Sequence, residues 1–218
     1  MGLWARLAGV FYLITIVMGV FAEVFVRGAL VVRDDAVRTA ANIVAHEGLY
    51  RAGLAADLVM LMAYVGVTLL LYLLLKPVSE SVSLTAAFFS LVGIAVLAAN
   101  CLNHAAPLLL VGRSDWQGLA LVFLRLHARG YNISGVFFGV YCVLIGYLAF
   151  RSGFLPRVIG VLMAIGGVSY LIGSFTSFLA PKLAARLPDV TVIGGIGELA
   201  LTLWLLVMGV KEAPGGKH

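Results

Sequence analysis

Between Leu54 and Leu75 the chain reads LAADLVMLMAYVGVTLLLYLLL, with Asp57 as its single charge. A stretch of about 20 apolar residues is long enough to cross the hydrocarbon of a bilayer as a helix. Lys76-Pro77 ends this segment, since proline cannot continue a helix. Working outward, the same texture recurs. The chain of 218 residues is 62% hydrophobic and 11% charged, against about 25% charged in soluble domains. We expect spans over 4–27, 48–75, 81–104, 128–150, 157–179 and 192–210. Two interfacial amphipathic helices are expected over 35–46 and 116–126. The first follows an N-cap signal at Asp34-Asp35 and puts Val37, Ala40, Ala41 and Val44 on one side. The fold class is therefore an all-α polytopic membrane bundle of six helices. Residues 1–212 form a single membrane domain and 213–218 a disordered tail.

Several function classes fall away. The net charge of +5 does not indicate nucleic-acid binding, because the bases sit at span ends rather than in a run. Cys101 and Cys142 lie in separate spans without C-x-x-C spacing, so they read as small apolar residues. Val20-Phe21-Ala22 has the shape of a signal cleavage site, but the apolar pattern runs on past it, and the first span is expected to be retained. The sequon Asn132-Ile133-Ser134 lies inside a span and is discounted. Short loops on the side of the termini carry Arg6, Lys76, Arg151, Arg157, Lys211 and Lys217, which places both termini in the cytoplasm.

The polar residues inside the spans crowd toward one side. Glu23, Arg27, Arg51, Asp57, Asn100, Asn103, His127, Tyr131, Ser174, Ser177 and Glu198 fall in the halves that share one face, here the extracytoplasmic one. A charge at mid-membrane costs about 2.5–3.5 kcal/mol on insertion scales, so such residues pair or serve function. Glu23 and Arg27, and likewise Glu47 and Arg51, are four apart and can pair along one face. Asp57 has no base at that spacing and needs a partner on another helix. Asn100, Asn103 and His104 share a face. His127, Tyr131, Ser134, Phe138 and Tyr141 form a stripe that should face inward. His127 is open to roles as a base, a ligand to metal or haem, or a structural histidine. Gly166 and Gly173 lie a heptad apart, and Glu198 follows Gly194, Gly195 and Gly197, where small residues let helices approach. Asp57, His127 and Glu198 together could hold a divalent metal, on composition and depth alone.

There is also an internal echo. His46-Glu47-Gly48-Leu49-Tyr50 matches His127-Ala128-Arg129-Gly130-Tyr131, and Asn100-x-x-Asn103-x-x-x-Pro107 matches Ser174-x-x-Ser177-x-x-x-Pro181. It reads as a parallel repeat of two hairpins about an axis along the membrane normal.

The strings Phe21-Ala22-Glu23-x-x-Val26-Arg27, Leu74-Leu75-Lys76-Pro77-Val78, Leu126-His127-x-x-Gly130-Tyr131, Val136-Phe137-Phe138-Gly139, Phe150-Arg151-Ser152-Gly153-Phe154-Leu155-Pro156-Arg157 and Gly197-Glu198 resemble a prokaryotic membrane-protein family. It is catalogued as domain of unknown function 4386. The resemblance implies a six-helix inner-membrane protein and supplies no activity or catalytic residue. His46 and His104 depart from that family's pattern, which favours His127.

Three readings follow. The first is a binding protein or enzyme whose outward pocket takes a small ligand, a lipid headgroup or a metal. The second is a small secondary transporter, with the Asp and Glu coupling ions. The third is a non-catalytic component in which the polar residues only set helix packing.

Overall fold

The computed structural model describes residues 2–184, 186 and 190–210, and among these residues it is all-helical. Among the described residues, five helices are long and apolar enough to cross a membrane. They are α1 (Gly2–Leu30), α3 (Glu47–Leu75), α4 (Glu80–Leu110), α5 (Ser114–Arg151) and α6 (Arg157–Leu179). Between α1 and α3 lies the short helix α2 (Ala36–Ala45). After α6 come the single turn α7 (Pro181–Ala184) and the apolar helix α8 (Val190–Val207), which is shorter than the other five. The tail expected over 213–218 falls outside the described residues.

The long helices pack in a closed circuit. α1 lies against α3, α3 against α4, α4 against α5, α5 against α6, α6 against α8, and α8 returns to α1. The largest core fills this circuit with Tyr12, Leu71, Leu75, Tyr141, Ile145, Leu148, Leu201 and Leu205. A smaller core of Val26, Leu30, Ile43, Tyr50, Leu110 and Leu124 lies under α2. Outward, the helices present Leu3, Phe25, Met62, Leu69, Phe88, Leu102, Val158, Ile165 and Ile172. A belt of exposed apolar side chains this extensive suits lipid and not water.

Three local features differ from expectation. First, α1 contains a π-helical segment over Phe21–Arg27, where the Gly28 N–H reaches back to the Glu23 carbonyl. The segment ends with Val26 and Arg27 both buried. Second, the stretch 116–126 is not a separate interfacial helix. Gln117–Arg151 is one continuous α-helix, because no proline interrupts it and Gly130 is held against Asn100. Third, α2 buries Thr39, Ala40 and Ile43, whereas Val37 and Val44 face outward. Thr39 Oγ1 binds both the N–H and the carbonyl of Val32, and Asn42 donates to the Leu30 carbonyl, so polar contacts decide the face. Asp35 caps α2 as expected, accepting from the Arg38 N–H at 2.8 Å.

The seam between α5 and α6 is made of glycines seven residues apart. A Cβ on Gly146 would lie 2.6 Å from the Gly160 carbonyl oxygen, and one on Gly160 would lie 2.6 Å from that of Gly146. Gly139 and Gly167 face each other in the same way. Gly166, by contrast, packs on Gly194 of α8. Backbone cannot move aside as a flexible side chain can. Gly160→Ala is therefore expected to destabilise the protein by about 1–3 kcal/mol through overpacking, read as a lower midpoint of thermal unfolding in detergent. An unchanged midpoint would show that the seam has room for a methyl group.

Candidate functional site

Along α3, α4 and α5 the two cores are separated by a band of polar side chains. Its centre is Asp57, whose side chain is 1% exposed. Arg27, turned inward at the end of the π-helical segment, forks onto it: Nη1 donates to Oδ2 at 2.6 Å and Nη2 to Oδ1 at 3.3 Å. Arg27 makes two further donations. Nε donates to Glu23 at 2.8 Å and Nη2 to the Tyr131 hydroxyl at 3.2 Å. This answers the need of Asp57 for a partner on another helix.

His104 completes the centre. It is fully buried, and its Nδ1 lies 2.8 Å from Asp57 Oδ2. A carboxylate only accepts hydrogen bonds, so Nδ1 carries a proton, and in the neutral imidazole Nε2 presents its lone pair. The 3.3 Å approach of Arg27 Nη1 to the same nitrogen follows from two donors sharing one acceptor oxygen. Tyr50 donates to the His104 carbonyl at 2.7 Å and stacks edge-on against its ring.

His127 has the same construction. Its Nδ1 lies 3.1 Å from the Asn100 carbonyl, and Asn100 Nδ2 donates back to the His127 carbonyl at 2.8 Å. Asn103 donates in turn to Asn100 Oδ1. A carbonyl acceptor again fixes the proton on Nδ1 and leaves Nε2 as an acceptor. The two imidazole rings are 5.0 Å apart, centroid to centroid. Both Nε2 atoms are buried, and neither has a hydrogen-bond partner among the described residues. Asp57, His104 and His127 each offer a donor atom within 4.8 Å of the others, all three residues being buried.

The structure thus brings together Arg27, Asp57, Asn100, Asn103, His127 and Tyr131, with Glu23 at the edge. Other candidates stand elsewhere. Arg51 pairs with Glu47 at 2.7 Å on the exposed surface. Ser174 lies against Gly135, and Ser177 donates to the Ser174 carbonyl. Glu198 is not part of the group with Asp57 and His127. It accepts from Tyr170 at 2.7 Å and Tyr12 at 3.0 Å, with Tyr64 at 3.5 Å. Tyr64 is seven residues beyond Asp57 on α3, about 10 Å along the helix axis.

The family model for the domain of unknown function (DUF4386) matches residues 7–209. The chain belongs to that family. An uncharacterized protein of Archaeoglobus fulgidus is similar to it, 26% identical over 147 residues, which cover 67% of this chain and 77% of that protein. No solved structure matches the chain.

Sequence reasoning passed over His104, because it departs from the family's pattern. Its place on one face with Asn100, four residues before it, was legible and was outweighed by that departure. It also missed Tyr12 and Tyr64, whose hydroxyls sit in otherwise apolar runs.

Proposed function

We propose that this membrane protein binds one divalent transition-metal ion through Nε2 of His104 and Nε2 of His127. The observation that carries this reading is the pair of buried, unpartnered Nε2 atoms. Buried polar atoms without partners are uncommon and need an explanation. Metal-bound histidines donate their other ring N–H to a carboxylate or a backbone carbonyl, and here Asp57 and the Asn100 carbonyl fill those two roles. Because Asp57 is held by the Arg27 fork, it acts behind His104 rather than as a direct ligand. Imidazole nitrogens suit zinc, copper, iron or nickel, and not magnesium or calcium. Two protein ligands leave coordination positions open for a small ligand or a lipid headgroup.

In this reading the protein crosses a prokaryotic inner membrane six times, with α8 as the sixth span and both termini in the cytoplasm. The metal site then opens to the extracytoplasmic side, with exposed Glu23 at its edge. The hairpins α3–α4 and α5–α6 are two halves of a parallel repeat, each contributing one histidine to the ion.

The test is elemental analysis and native mass spectrometry of the full chain purified in detergent, before and after incubation with zinc. We expect one ion per chain, released by a chelator. Absence of stoichiometric zinc after incubation with excess metal would refute the assignment.

A packing role is favoured by one observation, the four donations of Arg27 to Glu23, Asp57 and Tyr131. On that reading the cluster only ties α1, α3, α4 and α5 together. His104→Ala and His127→Ala would then alter unfolding, and the wild type would hold no metal.

A further inference from the structure

The second buried carboxylate is housed in a different way from the first. Asp57 faces a guanidinium, which only donates hydrogen bonds and is always charged. Glu198 faces phenols. It stands mid-way along α8 and reaches into the ring of helices, meeting Tyr12 of α1, Tyr64 of α3 and Tyr170 of α6. Among the described residues no basic side chain pairs with it. The other titratable groups near it are Tyr141 and Cys142 of α5, both buried in the same core.

We propose that Glu198 is a reversible proton-binding site inside the membrane domain, with the hydroxyls of Tyr170, Tyr12 and Tyr64 as its hydrogen-bond partners in both states. A phenol hydroxyl can donate to a carboxylate, and it can also accept from a carboxylic acid by turning its O–H elsewhere. The cage therefore satisfies either form without moving a helix. Lysine or arginine in the same place would hold only the anion. The hydroxyls also continue beyond the carboxyl group. Tyr12 and Tyr64 are 3.3 Å apart, oxygen to oxygen, and either can donate. Tyr141 stacks edge-on against Tyr64 at 6.1 Å, and its buried hydroxyl has no partner among the described residues. Taking up a proton removes the charge that burial penalises. This site is independent of the histidine pair and stands or falls without it.

The experiment is infrared spectroscopy of the full-length protein in lipid, titrated across the pH range in which it stays folded. The spectrum of Glu198→Gln is subtracted from that of the wild type. Gln keeps the shape and the hydrogen bonding, and circular dichroism checks its fold. We expect a carboxylic-acid carbonyl band at the acid end that gives way to carboxylate bands as pH rises and moves on exchange into deuterium oxide. Tyr170→Phe is expected to displace the midpoint of that change. A difference spectrum that stays constant with pH would overturn the proposal, because the carboxyl group would then be fixed in one form. A midpoint untouched by Tyr170→Phe would overturn the role of the phenols.

Discussion

Replacing Arg27 by Met is expected to cost about 3–5 kcal/mol of stability, because it leaves one partner of a buried ion pair behind. The magnitude follows from the surroundings. The Arg27 side chain is 8% exposed and that of Asp57 is 1% exposed. Without the guanidinium, Asp57 keeps only the His104 N–H and the long contact from Tyr131 at 3.4 Å in place of the two-pronged fork. The exposed Glu23 can turn to water and loses little. Removing both charges together should be far milder, since replacing a buried ion pair by apolar residues is often neutral or stabilising. Arg27→Met with Asp57→Leu is therefore expected to recover most of the loss. Arg51→Met supplies the contrast. Its pair with Glu47 is more than half exposed on both sides, and such pairs contribute about 0–1 kcal/mol. The measurement is unfolding in detergent for the three variants. Equal losses for Arg27→Met and Arg51→Met would show that burial does not govern this pair.

That contrast also marks how far the sequence could be read. Hydropathy located the five long apolar helices because lipid contact selects apolar residues one at a time, and Arg157–Leu179 begins and ends where the loop over 152–156 and Pro181 require. Asp35 is legible as a cap because its partner lies three residues away. What lies between helices is not legible in this way. Glu23-x-x-x-Arg27 reads as a surface pair on an ideal helix, whereas the π-helical turn and the packing of Val26 onto Gly53 carry Arg27 inward to Asp57. Asp57 and Glu198 read as two members of one pocket, since one-dimensional position gives depth and not neighbours. In the structure each carboxylate has its own set of donors. The α5–α6 seam escapes a sequence reading because Gly139, Gly146, Gly160 and Gly167 sit in runs of apolar residues where a glycine carries no signal of its own. His104 shows a different failure, since departure from a family's pattern says nothing about what this chain buries beside its aspartate.

The second large effect separates the roles within the proposed metal site. His104→Ala and His127→Ala each remove one of two protein ligands, and each is expected to abolish stoichiometric zinc binding. Asp57→Asn keeps the side-chain shape but removes the charge behind His104. Loss of such a partner behind a metal-bound histidine weakens affinity about 10–100-fold without abolishing it. The same change leaves Arg27 with Glu23 as its only carboxylate, so some loss of stability should accompany it. The amide oxygen of Asp57→Asn can still accept from both donors that share Oδ2, but its NH2 then faces Arg27 Nη2 and the Tyr131 hydroxyl, which now donate to Oδ1. Glu198→Gln is expected to leave zinc affinity unchanged, because Glu198 is bound to tyrosines of α1, α3 and α6 and to neither histidine. Zinc titration of the four variants, each first shown to be folded, gives the order directly. A loss in Glu198→Gln as large as in His127→Ala would place the ion among Asp57, His127 and Glu198, the set that composition and depth suggest. Retention of full affinity in His104→Ala would remove His104 from the site and with it the reason for Asp57 to stand where it does.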